Sequence, residues 1–418
     1  HMKNGATAVL ALTDSYSIQL LIVAVGVGTG IGINALLSKT LGERNSEKAA
    51  CIAGNGIFLA ICIYAVFLLF GIFGTKPFIA MQANGNALRQ EMGEQYLRIC
   101  CMGSFGSIGY TVYERFLQGT GRTNLSTIAQ ITGAALNILL DPLFIFGFHM
   151  GMAGAALATI IGQIFSGILV IRYLRRYKNG RLTAAHLRPQ ETYVSMITSL
   201  GAAAFFNQLA MLVVQIVLNK SLTYYGAHSD YGESIPLACA GIITKVNQVF
   251  FSIVIGLSQG MQPIASFNYG AKNYARVRQG YGLALRWGFV VSAVSFACFQ
   301  LIPRPIIGLF GEGSEMYFQF AEKYFRIYLF FTFLNCVQPI ASNLFTAIGK
   351  PKKGIFLSLT RQILFLLPLI VILPLFIGID GVMYAGPIAD FVAGVVALAM
   401  AGVEVKRLRR MESASVHA

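Results

Sequence analysis

Charge is what this 418-residue sequence has least of. Asp, Glu, Lys and Arg together make up 12% of it, about half of the roughly 25% usual in a soluble globular domain. With 56% hydrophobic residues and a mean hydropathy of +0.64, that scarcity excludes an ordinary soluble fold. Seven cysteines (Cys51, Cys62, Cys100, Cys101, Cys239, Cys298, Cys336) fall inside or at the edge of apolar runs, and none forms a Cys-x-x-Cys. A disulfide framework or structural zinc site is thereby not expected, and the thiols read as small packing residues. Histidine is rare as well. His1 reads with Met2 as a cloning remnant, and His149, His186, His228 and His417 are scattered over loops and tail. No metal and no cofactor is expected. Nor does any clustered His/Asp/Glu set or nucleophile–base pair occur, so a membrane-embedded hydrolase or transferase has no support and the chain reads as a non-enzyme.

What the sequence does have is long apolar runs. Eleven are expected to cross a bilayer as helices, near 6–37, 50–73, 92–119, 124–147, 152–174, 193–225, 235–266, 282–303, 317–347, 355–377 and 381–404, each long enough for about 30 Å of hydrocarbon. The 44 glycines suit close helix packing in lipid. The net charge of +15 is a topology signal rather than a nucleic-acid footprint. Odd-numbered connections and the C-terminus hold 20 Lys and Arg, whereas the even-numbered ones hold three, Lys76, Arg89 and Arg304. The basic loops and C-terminus are thereby assigned to the cytoplasmic side of a bacterial inner membrane.

The chain also nearly repeats itself. Glu94-Gln-Tyr96-Leu-Arg98-Ile99 returns as Glu322-Lys-Tyr324-Phe-Arg326-Ile327, and Gly121 returns as Gly349. Gly151, Gly154, Ala158 and Gly167 return as Gly378, Gly381, Ala385 and Gly394, and Gly26 and Gly30 as Gly256 and Gly260. Same-direction copies at nearly constant spacing predict two pseudo-symmetric parallel-repeat helix bundles in an all-α polytopic membrane protein, the architecture of alternating-access transporters. The expected boundaries are an N-terminal bundle over 1–178, a cytoplasmic linker over 179–192 and a C-terminal bundle over 193–418. The run at 193–225 has no counterpart in the first copy. Six helices per bundle are therefore expected in the parent architecture, with one N-terminal helix missing ahead of residue 1.

These residues resemble the multidrug and toxic compound extrusion (MATE) family, nearest its MepA-like bacterial branch. The likeness runs through Gly26-Val-Gly-Thr-Gly30 into Leu41-Gly42-Glu-Arg-Asn45, with Gly256-Leu-Ser-Gln-Gly260 and Asn268-Tyr-Gly270-Ala-Lys-Asn273 as the second-copy version. It continues in Leu117-Gln-Gly119-Thr-Gly121-Arg and Asn137-Ile-Leu-Leu-Asp141-Pro. The resemblance implies a V-shaped pair of bundles and alternating-access export of cationic amphipathic drugs in exchange for H+ or Na+. It also implies a coupling site to which Asn137, Asp141 and Thr159 correspond, whereas the family's first-helix Asp has no counterpart here. A lipid-linked oligosaccharide flippase, the related alternative, would need a strongly basic central cavity, and this sequence keeps most Arg and Lys in loops. The expected partners are small-molecule drugs and membrane lipids, with no nucleic acid, for a chain acting as a monomer.

The residues make part of that case unaided. Asn137 and Asp141, four apart, share a helix face, and Gln130 joins the stripe seven residues earlier. A carboxylate in this apolar run costs roughly 2.5–3.5 kcal/mol at mid-membrane, which suits a site that holds a proton or a cation by turns; the alternative is an acid that serves packing near a helix end. Pro142 offers a bending point. Asp14 and Asp390 are additional ionisable candidates, with polar contact between helices as the competing role. Glu94/Arg98 and Glu322/Arg326 read as i, i+4 ion pairs that staple each copy, and Lys245 and Arg361 as candidate counter-charges. Gln208, Gln215 and Asn219 form one polar stripe that, with Gln259, Tyr113 and Met261, is expected to line a drug cavity, with core packing as the competing role for each.

Overall fold

The computed structural model of the chain describes residues 5–83, 86–175, 183–232, 234–309 and 314–416, and every regular element in them is helical. His1, Met2, Arg176, Lys178, Arg181, His417 and positions 179–182 of the expected linker lie outside the described residues. By internal contacts the chain divides between Phe205 and Phe206.

The first unit holds α1 (Gly5–Gly42), α2 (Ser46–Leu69), α3 (Thr75–Gln82), α4 (Ala87–Met102), α5 (Ser104–Gly119), α6 (Thr123–Pro142), α7 (Gly151–Arg175) and the start of α8 (Glu191–Ala227). Its core is built around α1, which packs on α2, α4 and α5, while α7 packs on α5 and α6. The expected boundary in the 179–192 linker is thus displaced into α8. The cause is close backbone contact: a Cβ on Gly201 would lie 2.0 Å from the Gly28 carbonyl oxygen, and one on Gly32 would lie 2.0 Å from that of Ile197. Small residues let α1 and the first turns of α8 touch main chain to main chain, as helices in lipid do.

The second unit continues with α9 (Ser234–Gly270), α10 (Tyr274–Leu301), α11 (Pro303–Gly308), α12 (Glu315–Tyr328), α13 (Val337–Ala347), α14 (Pro351–Leu359), α15 (Leu367–Ile377) and α16 (Ile379–Val416). Here α9 packs on α10, α12 and α13, and α16 packs on α13 and α15. The pattern around α1 and α7 therefore recurs around α9 and α16, as the sequence repeat demands.

Local chemistry repeats with it. α1 ends in a left-handed residue, Arg44 at φ 58°, and Asn45 then caps α2 by accepting from the Lys48 N–H at 2.9 Å. α9 ends in the same way, with Lys272 at φ 58° and Asn273 accepting from the Arg276 N–H at 3.3 Å. An Asn in the cap position satisfies a donor the helix cannot satisfy itself. Gly121 and Gly349, at φ 82° and 78°, make the turns into α6 and α14, a backbone region where a side chain would be strained. Gly154 and Gly381 also match in role, since a Cβ on the first would lie 2.9 Å from the carbonyl carbon of Phe144 and on the second 2.5 Å from that of Leu373.

Ten helices are long and apolar enough to cross a bilayer among the described residues. The expected span at 92–119 is not one of them. It is two helices, α4 and α5, that meet at Gly103, where a Cβ would lie 2.2 Å from the Ile160 side chain. These helices carry Arg89, Glu91, Glu94, Arg98, Glu114 and Arg115, so their run is less apolar than the others. The repeat has the same interruption between α12 and α13. Pro142 ends α6, and the backbone then widens into a π-helical turn, Leu143–Gly147. A missing proline N–H leaves a carbonyl of the preceding turn without its partner, which favours such a change of ladder. The second unit places a wider π turn, Thr360–Leu366, between α14 and α15. Exposed Ile61, Val66, Phe73, Leu375 and Phe376 suit contact with lipid tails. The chain is a multi-pass membrane protein.

Candidate functional site

The polar stripe of α6 faces α7. Two glycines allow this: a Cβ on Gly133 would lie 1.8 Å from Ser166 Oγ and 2.8 Å from the Gly162 carbonyl oxygen, and one on Gly162 would lie 2.8 Å from that of Gly133. Ser166 Oγ–H lies 3.0 Å from both the Ala129 and Gly162 carbonyl oxygens and donates across the contact. Beside this seam a cavity of about 210 Å³ is lined by Gln130, Ala134 and Asn137 of α6, by Thr159 and Gln163 of α7, and by Tyr110 of α5. The buried Tyr110 hydroxyl has no hydrogen-bond partner among the described residues.

Asn137 is the hub. Its Nδ2 lies 3.4 Å from Asp141 Oδ1 and 3.4 Å from Thr159 Oγ1, and Thr159 in turn donates to the Ala155 carbonyl at 3.0 Å. An amide offers two N–H donors, one for each neighbour. Asn137, Asp141 and Thr159 are thus brought together, and Gln130 joins Asn137 and Thr159 on the wall of the cavity. Asp141 is half-buried and has no cationic partner among the described residues. The other two acids singled out from the sequence are neutralised. Asp14 takes a two-pronged bond from Arg89 of α4 at 2.5 and 2.6 Å, and Asp390 of α16 is paired with Arg361, the second residue of the π turn Thr360–Leu366.

The expected staples do not form. Among the described residues neither Glu94/Arg98 nor Glu322/Arg326 closes into an ion pair; Glu322 lies 3.7 Å from Arg304 instead. Exposed i, i+4 pairs gain little from closing, so a neighbouring cation prevails. Of the cavity residues expected from the sequence, Gln215 donates to Asn219 Oδ1 at 2.9 Å on α8, and Gln208 lies half-buried two turns earlier. Gln259 of α9 is half-buried as well. Tyr113 lines an apolar groove of about 160 Å³ between α2 and α5. Met261 departs from expectation: it is 5% exposed, within the apolar core that α9 forms with α10 and α13, because its side of α9 faces those helices.

Sequence reading also missed two clusters. Glu114 and Arg115, both buried, form a network in which Gln118 Nε2 donates to Glu114 Oε1 at 2.8 Å, Ser126 Oγ donates to the same oxygen at 2.9 Å, and Arg115 Nη1 donates to Gln118 Oε1 at 2.9 Å. The adjacent opposite charges inside an apolar run were its only signal. His186, expected to stand apart from other ligating residues, meets Glu47 and Cys51 across 139 residues of sequence.

The repeat gives the cavity a counterpart. Gln163 corresponds to Asp390, and Arg361 falls at the register of Gly133 or Ala134. By that register, the second unit has a buried ion pair where the first has residues that line a polar cavity.

Comparison with known proteins agrees with the geometry. The family model described as MatE matches residues 1–143 and 203–372. The multidrug export protein MepA of Staphylococcus aureus (strain bovine RF122 / ET3-1) is 23% identical over 366 residues, covering 87% of this chain and 78% of the relative. Its namesake in Staphylococcus haemolyticus (strain JCSC1435) is 24% identical over 365 residues, with the same coverage of both chains. Among solved structures, the outward-facing conformation of a multidrug resistance MATE family transporter of the MOP superfamily superposes with a TM-score of 0.89 at 21% identity, over 97% of this chain and 90% of that one. A MOP superfamily transporter from Pyrococcus furiosus, described as having a binding pocket of reverse polarity, gives 0.87 at 20% identity, over 97% and 89%. These likenesses establish a shared fold. With the family model matched over most of the sequence, the chain belongs to the MatE family and is a membrane transporter, not an enzyme.

Proposed function

We propose that this chain exports cationic amphipathic drugs in exchange for H+ or Na+, by alternating access of its two helix bundles in a bacterial inner membrane with the basic loops on the cytoplasmic side. One observation carries the reading: Asp141 is a half-buried carboxylate held by Asn137 beside a polar cavity, without a counter-cation among the described residues, while Asp14 and Asp390 are each neutralised by an arginine. A carboxylate in that setting can take a proton or a small cation, and Asn137 and Thr159 supply neutral oxygens for either. The relatives named for multidrug export support the substrate class. Gln208, Gln215 and Asn219 of α8, with Gln259 of α9, provide hydrogen bonds for ligands of varied shape. No cofactor takes part; the exchanged ion is a co-substrate, and the chain works as a monomer among lipids.

Purified protein in vesicles, loaded with a fluorescent cationic dye and given a proton or sodium gradient, tests this. Asp141→Asn keeps the side-chain shape and an oxygen for Asn137 but cannot ionise. It should reduce gradient-driven dye movement to the level of empty vesicles while leaving the protein monodisperse. Undiminished transport by that variant would falsify the coupling role.

A further inference from the structure

We propose that Glu47, Cys51 and His186 form a site for a borderline-soft divalent cation of the zinc class, which fastens the segment 183–190 to α2. Glu47 Oε1, Cys51 Sγ and His186 Nε2 all lie within 4.8 Å of one another. The first two are four residues apart in the first turns of α2 and so share a face. His186 comes from the 3-10 turn Ala184–Leu187 and is buried against that face. Its place is fixed by the main chain. A Cβ on Gly54 would lie 2.0 Å from the His186 carbonyl oxygen, so this backbone lies directly on α2. The Gln190 N–H donates to Asn55 Oδ1 at 2.7 Å and closes the other end.

The donor set is what zinc-like ions select: one thiolate, one imidazole and one carboxylate, with a fourth position open to water. Around such an ion neighbouring donor atoms stand roughly 3.3–3.8 Å apart, given metal–ligand bonds of about 2.0–2.3 Å. His186 Nε2 and Glu47 Oε1 are already 2.9 Å apart, and the Glu47 side chain, 80% exposed, is free to adjust. The ring also has its orienting partner. Thr183 Oγ1 lies 2.9 Å from Nδ1 and can accept a bond from an Nδ1–H, which leaves Nε2 for the metal. In the metal-free chain the Thr183 N–H donates to that same nitrogen at 3.1 Å, and this bond is given up when the ring takes the metal-binding tautomer. On binding, the Cys51 thiol releases its proton to water.

The test uses the full chain in detergent, stripped with a chelator and titrated with Zn2+ or Co2+. One metal per chain should bind, and Cys51→Ser and His186→Ala should each abolish it. With Co2+ the near-ultraviolet thiolate charge-transfer band should vanish in Cys51→Ser. Thr183→Val, which removes only the orienting hydroxyl, should weaken binding about tenfold. In the unmutated chain, saturating Zn2+ should slow alkylation of Cys51 by at least about tenfold, because the bound thiolate is no longer a free nucleophile. Alkylation of the exposed Cys62 should be unaffected. Alkylation of Cys51 at the same rate with and without Zn2+, or equal metal content in chain and variants, would overturn the proposal and leave a hydrogen-bonded clip.

Discussion

Breaking the Arg361–Asp390 pair from one side should be far worse than removing it whole. Asp390 is 2% exposed and Arg361 19% exposed, so neither charge can be left to water. Arg361→Met strands the carboxylate and should cost about 3–5 kcal/mol, the range for uncompensated buried charges. Asp390→Asn strands the guanidinium, which has the longer and slightly wetter side chain. It should fall near the lower end of that range, because an arginine can reach toward solvent along its stem. The double variant removes both desolvation costs together with the attraction and should return to within about 1–2 kcal/mol of the unmutated chain. The coupling energy of the cycle should then be about 4–7 kcal/mol. Reversible unfolding in mixed micelles, followed by tryptophan fluorescence from Trp287 of α10, gives all four corners. Additive single effects, within about 0.5 kcal/mol, would refute the reasoning, since they would mean that the two side chains do not depend on each other.

Gly133→Ala should separate α6 from α7, because its methyl would sit 1.8 Å from Ser166 Oγ. A loss of about 1–3 kcal/mol is expected, with partial recovery in the Gly133→Ala/Ser166→Ala double variant, where the Gly162 carbonyl at 2.8 Å remains in the way; unfolding midpoints of the three proteins check the order. Asn55→Ala removes the acceptor of the Gln190 N–H and a donor 3.5 Å from the Arg188 carbonyl oxygen. At about 1–1.5 kcal/mol for the lost bonds, hydrogen exchange of the Gln190 amide should quicken by roughly tenfold, and an unchanged rate would show that the latch holds nothing.

Much of this molecule is legible in its sequence because the repeat is chemical as well as numerical. The turn Gly42-Glu-Arg44-Asn45 and its echo Gly270-Ala-Lys272-Asn273 close with the same left-handed residue and the same asparagine cap. Periodicity likewise placed Asn137 and Asp141 on one face, and Thr159 came from the resemblance. What stayed hidden depends on which helices touch. Hydropathy could not reveal that α4 stops at Gly103 to admit Ile160, or that the unit boundary lies within α8, where glycines press it onto α1. Charges four residues apart suggested pairs in Glu94/Arg98 and Glu322/Arg326, yet spacing alone cannot say whether another cation stands nearer, as Arg304 does for Glu322. The meeting of His186 with Glu47 joins residues far apart in sequence, and no local pattern signals it.

The filled counterpart of the first unit's cavity has a thermodynamic consequence for the proposed exchange. An ion that binds at Asp141 can bias the two orientations of the protein only through differences it experiences in the first unit, because in the second unit the register of Asp141 is held by Pro368 and Asp390 is already paired with Arg361. Reversing a 1:99 population to 99:1 takes about 5.5 kcal/mol of differential binding. Moving one carboxylate charge between water and mid-membrane is worth roughly 2.5–3.5 kcal/mol, a population shift of roughly a hundredfold. A single acid thus supplies about half of a full reversal. The remainder has to come from the drug, whose own preference for one orientation then becomes part of the switching energy, so that ligands binding both orientations equally would be carried poorly however tightly they bind.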